Sequence, residues 1–156
     1  GQNLGAELTL RLAQIPGVVA VKEASADLEQ IAAIIAGRPA GFVVLSGDDA
    51  LTLPTVALGA EGVISVLANE APAEMAAIVA AARAGELDRA RELHYRLRPL
   101  MSANFVETNP VPVKTAMHLL GFCEAVFRPP LGAAEDHTVE VLREALRCAD
   151  LSGADR

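Results

Sequence analysis

"GVVAVKEASADLEQIAAIIAG", residues 17–37, decides the fold. Its first part, Val18-Val19-Ala20-Val21, is a continuous apolar and largely β-branched run, the composition of a strand covered on both faces. Its second part, from Asp27 to Gly37, puts Leu28, Ile31, Ile34 and Ile35 on one face of a helix and closes on a glycine. The same strand-then-helix order returns twice. "GFVVLSGDD" (41–49) leads into "ALTLPTVALGA" (50–60), and "GVISVLAN" (62–69) leads into "APAEMAAIVAAARAG" (71–85). The strands start near 18, 42 and 62, and each is apolar throughout. That predicts parallel neighbours sheltered by helices, in an α/β barrel or an open parallel sheet.

Working outward, residues 4–14 repeat apolar side chains at helical spacing through Leu4, Leu8, Leu12 and Ala13, with Asn3 as candidate N-cap and Pro16-Gly17 as the stop. Beyond Glu86 no strand signal remains. "ELDRARELHYRLRPLMSAN" (86–104), "PVKTAMHLLG" (112–121) and "DHTVEVLREALRCAD" (136–150) read as amphipathic helices, and the tail "LSGADR" (151–156) is expected to fray. A closed barrel takes eight strands and roughly 250 residues, whereas three strands leave open edges and bare apolar faces. The chain reads as the end of something longer.

Composition narrows the function. With 52% apolar residues and no Trp, the core is expected to be built from Ala, Val, Leu and Ile. Thirteen basic against twenty acidic residues give a net charge of −7, and no Lys/Arg cluster is interleaved with aromatics, which argues against nucleic acid and anionic membranes as partners. No apolar run reaches the roughly 18–20 residues of a membrane span, and "GQNLGAELTL" lacks the order of a signal peptide. A cytoplasmic setting is expected. Cys123 and Cys148 form no C-x-x-C and read as buried thiols. His94, His118 and His137 are far apart, without zinc-ligand spacing, so no metal site is expected.

The chain has eleven arginines and only two lysines, and one of the two, Lys22, directly follows Val18–Val21. Arginine stays protonated, whereas a lysine in an apolar setting can become a neutral, nucleophilic amine. The carboxyl ends of parallel strands are where ligands bind, so Lys22 stands where a Schiff-base lysine would stand. A lysine snorkelling from a strand end, or paired with Glu23 or an Asp, fits the same position. The other strand ends carry Ser46-Gly47-Asp48-Asp49, and Ser65 with Asn69. "SGDD" fits either a turn with a helix cap or a weak Mg²⁺ pair. "GAEGVISV" precedes a strand and so is not a dinucleotide loop. Tyr95 reads as a packing residue and Lys114 as surface or capping chemistry.

Taken together, "VVAVKEAS", "FVVLSGDDALTLP", "GAEGVISVLAN" and "FVETNPVPVKTAMHLLG" resemble the C-terminal half of the dihydrodipicolinate synthase family. This family belongs to the class I, pyruvate-dependent aldolases, with the N-acetylneuraminate lyases. The resemblance covers essentially the whole chain. It implies that residues 1–85 are the last three strand-helix units of a (β/α)₈ TIM barrel, with strands near 18–23, 42–46 and 62–67, and that 86–156 form the C-terminal helical region. By the V-K-E-A match, Lys22 is implied to form the imine with pyruvate. Ile64 in G-V-I-S-V is implied to place its backbone beside bound pyruvate, and Gly47 to line the pocket near the second substrate. "ETNPVPVK" is closer to the synthases than to the sialic-acid lyases. Ala26 stands where the family commonly has Gly, a departure expected to alter the turn and not the chemistry.

The implied reaction condenses pyruvate with aspartate semialdehyde to 4-hydroxy-tetrahydrodipicolinate, in diaminopimelate and lysine synthesis. It uses the covalent imine at Lys22 and no metal or organic cofactor. The family's Thr-Thr pair, its proton-shuttling Tyr and its carboxylate-binding Arg have no matching positions here, and its Tyr-Asn-x-Pro-x-Arg segment would lie immediately before Gly1. The chain is therefore expected to need the missing N-terminal half of the barrel as a partner, to belong to a homo-oligomer, and to show no turnover alone. Another pyruvate aldolase, such as an N-acetylneuraminate or keto-deoxy sugar acid lyase, is the alternative enzyme, and a non-catalytic fragment the alternative class.

Overall fold

The computed structural model describes residues 2–151, so all of the tail expected to fray except Leu151 lies outside the described residues. The chain divides into two units, Gly1–Ser65 with Ile78–Ala90, and Val66–Ala77 with Arg91–Arg156.

The first unit opens with α1 (Ala6–Leu12), followed by β1 (Ala20–Glu23), α2 (Leu28–Gly37), β2 (Val43–Ser46), α3 (Thr52–Ala57) and β3 (Gly62–Val63). The strands form one parallel sheet in the order β1-β2-β3. Lys22 stands opposite Leu45, and Leu45 opposite Gly62. Successive strand residues point to opposite faces, so Val21 and Val44 share one face and Lys22 and Leu45 the other. The first face is the packed one: Val44, Ile34, Phe42, Ala13 and Ala60 form a buried cluster, with Val21 and Ile35 against it. Burying side chains such as Ile34 and Val44 stabilises the sheet-helix layer by roughly 1.5–3 kcal/mol each.

Three expectations are corrected here. Asn3 does not cap α1, whose N-cap position is Gly5. Its amide instead exchanges two hydrogen bonds with Gln30, donating at 2.7 Å and accepting at 3.2 Å. The stripe Leu4, Leu8, Leu12 is exposed, while Thr9 and Ala13 are buried. The third strand, expected over 62–67, is a ladder only at Gly62–Val63. Its partner β2 ends at Ser46, whose carbonyl takes the Ile64 N–H at 2.8 Å, and the chain then enters a 3₁₀ turn over Leu67–Asn69.

α4 (Pro72–Arg83) and α5 (Leu87–Ala103) contribute residues to both units, and α6 (Val111–Leu119) and α7 (Asp136–Cys148) complete the second. Leu93, Leu97, Leu100 and Met101 of α5 are buried at helical spacing, as are Leu142, Ala145 and Leu146 of α7. α6 and α7 pack together. The motif residue Glu107 caps α7. Its carboxylate accepts the Glu135 N–H at 3.0 Å, and hydrogen bonds from the Thr138 side chain and then the Glu135 backbone hold its pKa below the usual value. Lys114 donates to the Val126 carbonyl and lies 5.5 Å from the Phe127 ring centre, so it staples the loop after α6. The expectation of buried thiols fails for Cys148, which is exposed in the last turn of α7; Cys123 is half-buried in the stapled loop. Tyr95 is not a packing residue in the described chain: it is 66% exposed, and its ring meets His94 edge-on.

Candidate functional site

Lys22 and Glu23 are neighbours with opposite surroundings. The pleat sends Glu23 into the helix layer, where it is buried and accepts the Ser25 N–H at 2.8 Å and the Gln30 amide at 3.3 Å. Lys22 emerges on the other face of the sheet, at the carboxyl end of β1, where it is exposed. The Glu23 carboxylate therefore serves the turn into α2 and not the lysine. That turn is built for the purpose: Ser25 Oγ accepts the Asp27 N–H, and Asp27 accepts the Glu29 and Gln30 N–H groups at 2.9 and 3.2 Å as N-cap. Ala26 bridges the two at φ +61°, the left-handed region in which Gly is at ease.

The lysine is exposed, so the apolar shelter expected for it is not supplied by the described residues. A cleft of about 540 Å³ opens beside β1, with Lys22, Glu23, Ala24, Ser25 and Asn3 among its walls.

Gly47 reaches the lysine. Its N–H donates to the Glu23 carbonyl at 2.6 Å, tying the end of β2 to the end of β1. A Cβ on Gly47 would stand 3.0 Å from Lys22 Cε and 2.5 Å from Ala24 Cβ. Ile64 lies at the same end of the sheet, directly after β3, with its N–H bonded to the Ser46 carbonyl at 2.8 Å. It is 47% exposed. Lys22, Gly47 and Ile64 thus share one end of the sheet, with Gly47 beside the lysine and Ile64 across β2.

The remaining polar strand ends are used locally. Ser46 donates to the Asp48 carbonyl and accepts its N–H, and Asp48 takes the Ala50 and Leu51 N–H groups ahead of α3. "SGDD" is a turn and cap for Ser46 and Asp48. Among the described residues no group of His, Cys, Asp or Glu is arranged to hold a metal ion. Asn69 belongs to the second unit, where its amide donates to the Val66 carbonyl of its own turn. In the same unit, burial and then the Arg98 charge lower the pKa of His94.

At the opposite end of the sheet, Arg38 pairs with both oxygens of Glu61, and one of those oxygens also accepts the Val44 N–H at 2.9 Å. Sequence reading missed this hub, as it missed Ala24 and the Asn3–Gln30–Glu23 chain, because each is made between residues far apart in the sequence.

The dihydrodipicolinate synthetase family matches residues 1–149. The chain belongs to the dihydrodipicolinate synthetase family. Among curated relatives, the 4-hydroxy-tetrahydrodipicolinate synthase of Methanoculleus marisnigri is 50% identical over 147 residues, covering 94% of this chain and 50% of the relative. The crystal structure of dihydrodipicolinate synthase from Aquifex aeolicus superposes with a TM-score of 0.90 at 44% identity, covering 94% of this chain and 50% of that one. The chloride-inhibited dihydrodipicolinate synthase from Acinetobacter baumannii, complexed with pyruvate, gives 0.92 at 36%, covering 96% and 51%. The chain spans about half the length of the relatives it matches. Its strand-helix units and following helices are those of part of a synthetase-family (β/α)₈ barrel and its helical region.

Proposed function

We propose that Lys22 is the imine-forming lysine of a 4-hydroxy-tetrahydrodipicolinate synthase, acting on pyruvate and aspartate semialdehyde in a cytoplasmic homo-oligomer. The observation that carries this reading is the placement of Lys22 at the carboxyl end of β1, on the face opposite buried Glu23 and against Gly47. Family membership, the relatives' names and the pyruvate complex of the Acinetobacter relative support it.

In this reading the neutral amine of Lys22 attacks the pyruvate ketone, and loss of water leaves an imine. Its protonated form accepts the electron pair released when a methyl proton departs, giving an enamine. The enamine carbon bonds to the aldehyde of the second substrate, whose oxygen takes up a proton. The substrate's own amine then attacks the imine carbon, closes the ring and expels Lys22 as the free amine. The iminium is the electron sink, so the scheme calls for no metal or organic cofactor. The Ile64 backbone and Gly47 border the bound pyruvate and its partner. Strands supplied by the other half of the barrel close the site, desolvate Lys22 and bring the proton relay.

The test is borohydride trapping with pyruvate, followed by peptide mass mapping. Reduced adduct on Lys22, lost in Lys22→Ala and absent from Lys114, is expected. Adduct on Lys114, or none in the completed barrel, overturns the proposal. Residues 1–156 alone are expected to show no synthase turnover; robust turnover from this chain free of any longer one rejects the need for the other half. Preference for a sugar aldehyde over aspartate semialdehyde would move the assignment to the lyases of the same group.

A further inference from the structure

The imine chemistry requires the Lys22 amine to meet a ketone along a defined line, yet a lysine stem has four rotatable bonds and no branch to restrict them. In this structure the stem is confined from the β2 side. Gly47 lies so close that a Cβ there would stand 3.0 Å from Lys22 Cε, 2.5 Å from Ala24 Cβ and 3.1 Å from Ala24 Cα. The approach is imposed by backbone, since the Gly47 N–H is bonded to the Glu23 carbonyl at 2.6 Å, one residue beyond the Glu23–Ser46 end of the ladder. Gly47 has no positive φ to explain its lack of a side chain. What the absent side chain leaves open is the path of the lysine.

The geometry points to Gly47 and Ala24 as a pair of positioning residues that together form a collar on the Lys22 stem and set where its amine is delivered. This rests on the reading of Lys22 as the imine lysine and adds to it a steric limit on two flanking residues, one of which, Ala24, takes no part in the chemistry. A purely architectural role for Gly47 would concern only its fit against Ala24. The two roles separate because the two contacts differ in kind: Ala24 Cβ is fixed to the backbone, whereas Lys22 Cε can swing away.

The experiment compares the wild-type chain with Gly47→Ala and with the double variant Ala24→Gly/Gly47→Ala, each completed to the full barrel for trapping. Thermal melts report the fold, NOEs between the Lys22 ε-protons and the Gly47 α-protons report the collar, and pyruvate trapping reports delivery of the amine. Gly47→Ala is expected to lower both melting temperature and trapping rate. The double variant removes the 2.5 Å clash and leaves the 3.1 Å approach to the Cα of residue 24, so most of the lost stability returns, while trapping at Lys22 stays down by about tenfold or more because the added methyl displaces Cε from the line along which the amine is delivered. Trapping restored to the wild-type rate along with stability overturns the inference, as does absence of the NOE in the wild-type chain. If the wild type shows the NOE but takes no pyruvate on Lys22, the proposed function falls while the contact stands. That outcome overturns the collar's role in delivery.

Discussion

Arg38 grips Glu61 through both terminal guanidinium nitrogens, at 2.9 and 3.0 Å, ahead of β3. The same carboxylate takes the Val44 N–H, and the Glu61 carbonyl takes the Arg83 guanidinium at 2.8 Å. One side chain therefore joins the amino-terminal ends of two strands to the segment after α2. Glu61→Ala strands the Val44 N–H and is expected to destabilise the first unit by about 1–3 kcal/mol, with Glu61→Gln losing less because its amide oxygen still accepts. Arg38→Ala, removing only a partly exposed partner, is expected to remain below about 1 kcal/mol. Urea melts of the three variants rank them, and an Arg38→Ala loss equal to that of Glu61→Ala would contradict the ordering.

Ala26 sits at φ +61° in the turn that carries the chain from Lys22 to the cap of α2. A left-handed conformation costs an L-residue roughly 1–2 kcal/mol, while glycine's freer unfolded chain returns about 0.4–1 kcal/mol of that advantage. Ala26→Gly is therefore expected to stabilise by about 0.5–1 kcal/mol, a rise of about 1–4 °C in melting temperature. A fall in melting temperature would show the turn to be unstrained.

Asp27 satisfies two N–H groups at the start of α2. Asp27→Ala is expected to cost about 1 kcal/mol, and Asp27→Asn little, since the amide oxygen occupies the same place. Equal losses in chemical denaturation would assign the effect to charge rather than to the acceptor.

His94 is held neutral by burial and by Arg98, so its folded pKa lies below 6.5. The unfolded chain binds the proton more readily; stability from this group is complete above about pH 6.5 and is lost as pH falls through the folded value. His94→Gln, which cannot charge, should flatten the acid side of the stability profile between neutrality and that value. A steeper profile in the variant would reverse the sign and refute the assignment.

Lys114 fastens the loop after α6 through the Val126 carbonyl and the Phe127 ring. Lys114→Met keeps the stem and removes the donor, so amide exchange over residues 122–127 is expected to quicken by about tenfold, or roughly 1.4 kcal/mol of local stability. Unchanged exchange would show that the loop is held by other contacts, such as the His118–Cys123 carbonyl bond.

Much of this was legible in the order of residues. The apolar runs before Lys22, Ser46 and Ile64 marked three parallel strands, the third cut short at Val63, and Ile31 and Ile34 lie buried where helical spacing put them. Lys22 announced itself by rarity and position, and the resemblance supplied Gly47 and Ile64. What stayed hidden depends on the other partner in each contact. Asn3 has the composition of an N-cap, but Gln30, reached only when α2 folds back, takes its amide. Cys148 and Tyr95 fall on the exposed sides of their helices, a matter of rotational phase that a short apolar pattern does not resolve. Glu61 was seen only as part of a glycine-rich stretch, because its partners Arg38 and Val44 belong to the preceding strand-helix unit.

The alternation that separates Lys22 from Glu23 also restricts how such a chain can change in length. Removing or inserting a single residue between Val18 and Val21 would exchange the two, driving an ammonium into the apolar helix layer and leaving a carboxylate where the proposed reaction needs an amine. Indels in this stretch are thus barred unless they come in twos, whereas the bend at Pro16-Gly17, where Gly17 has φ +92° and open space around it, can absorb them. Natural variation in length among related chains should collect at that bend and leave the four residues before the lysine at constant number.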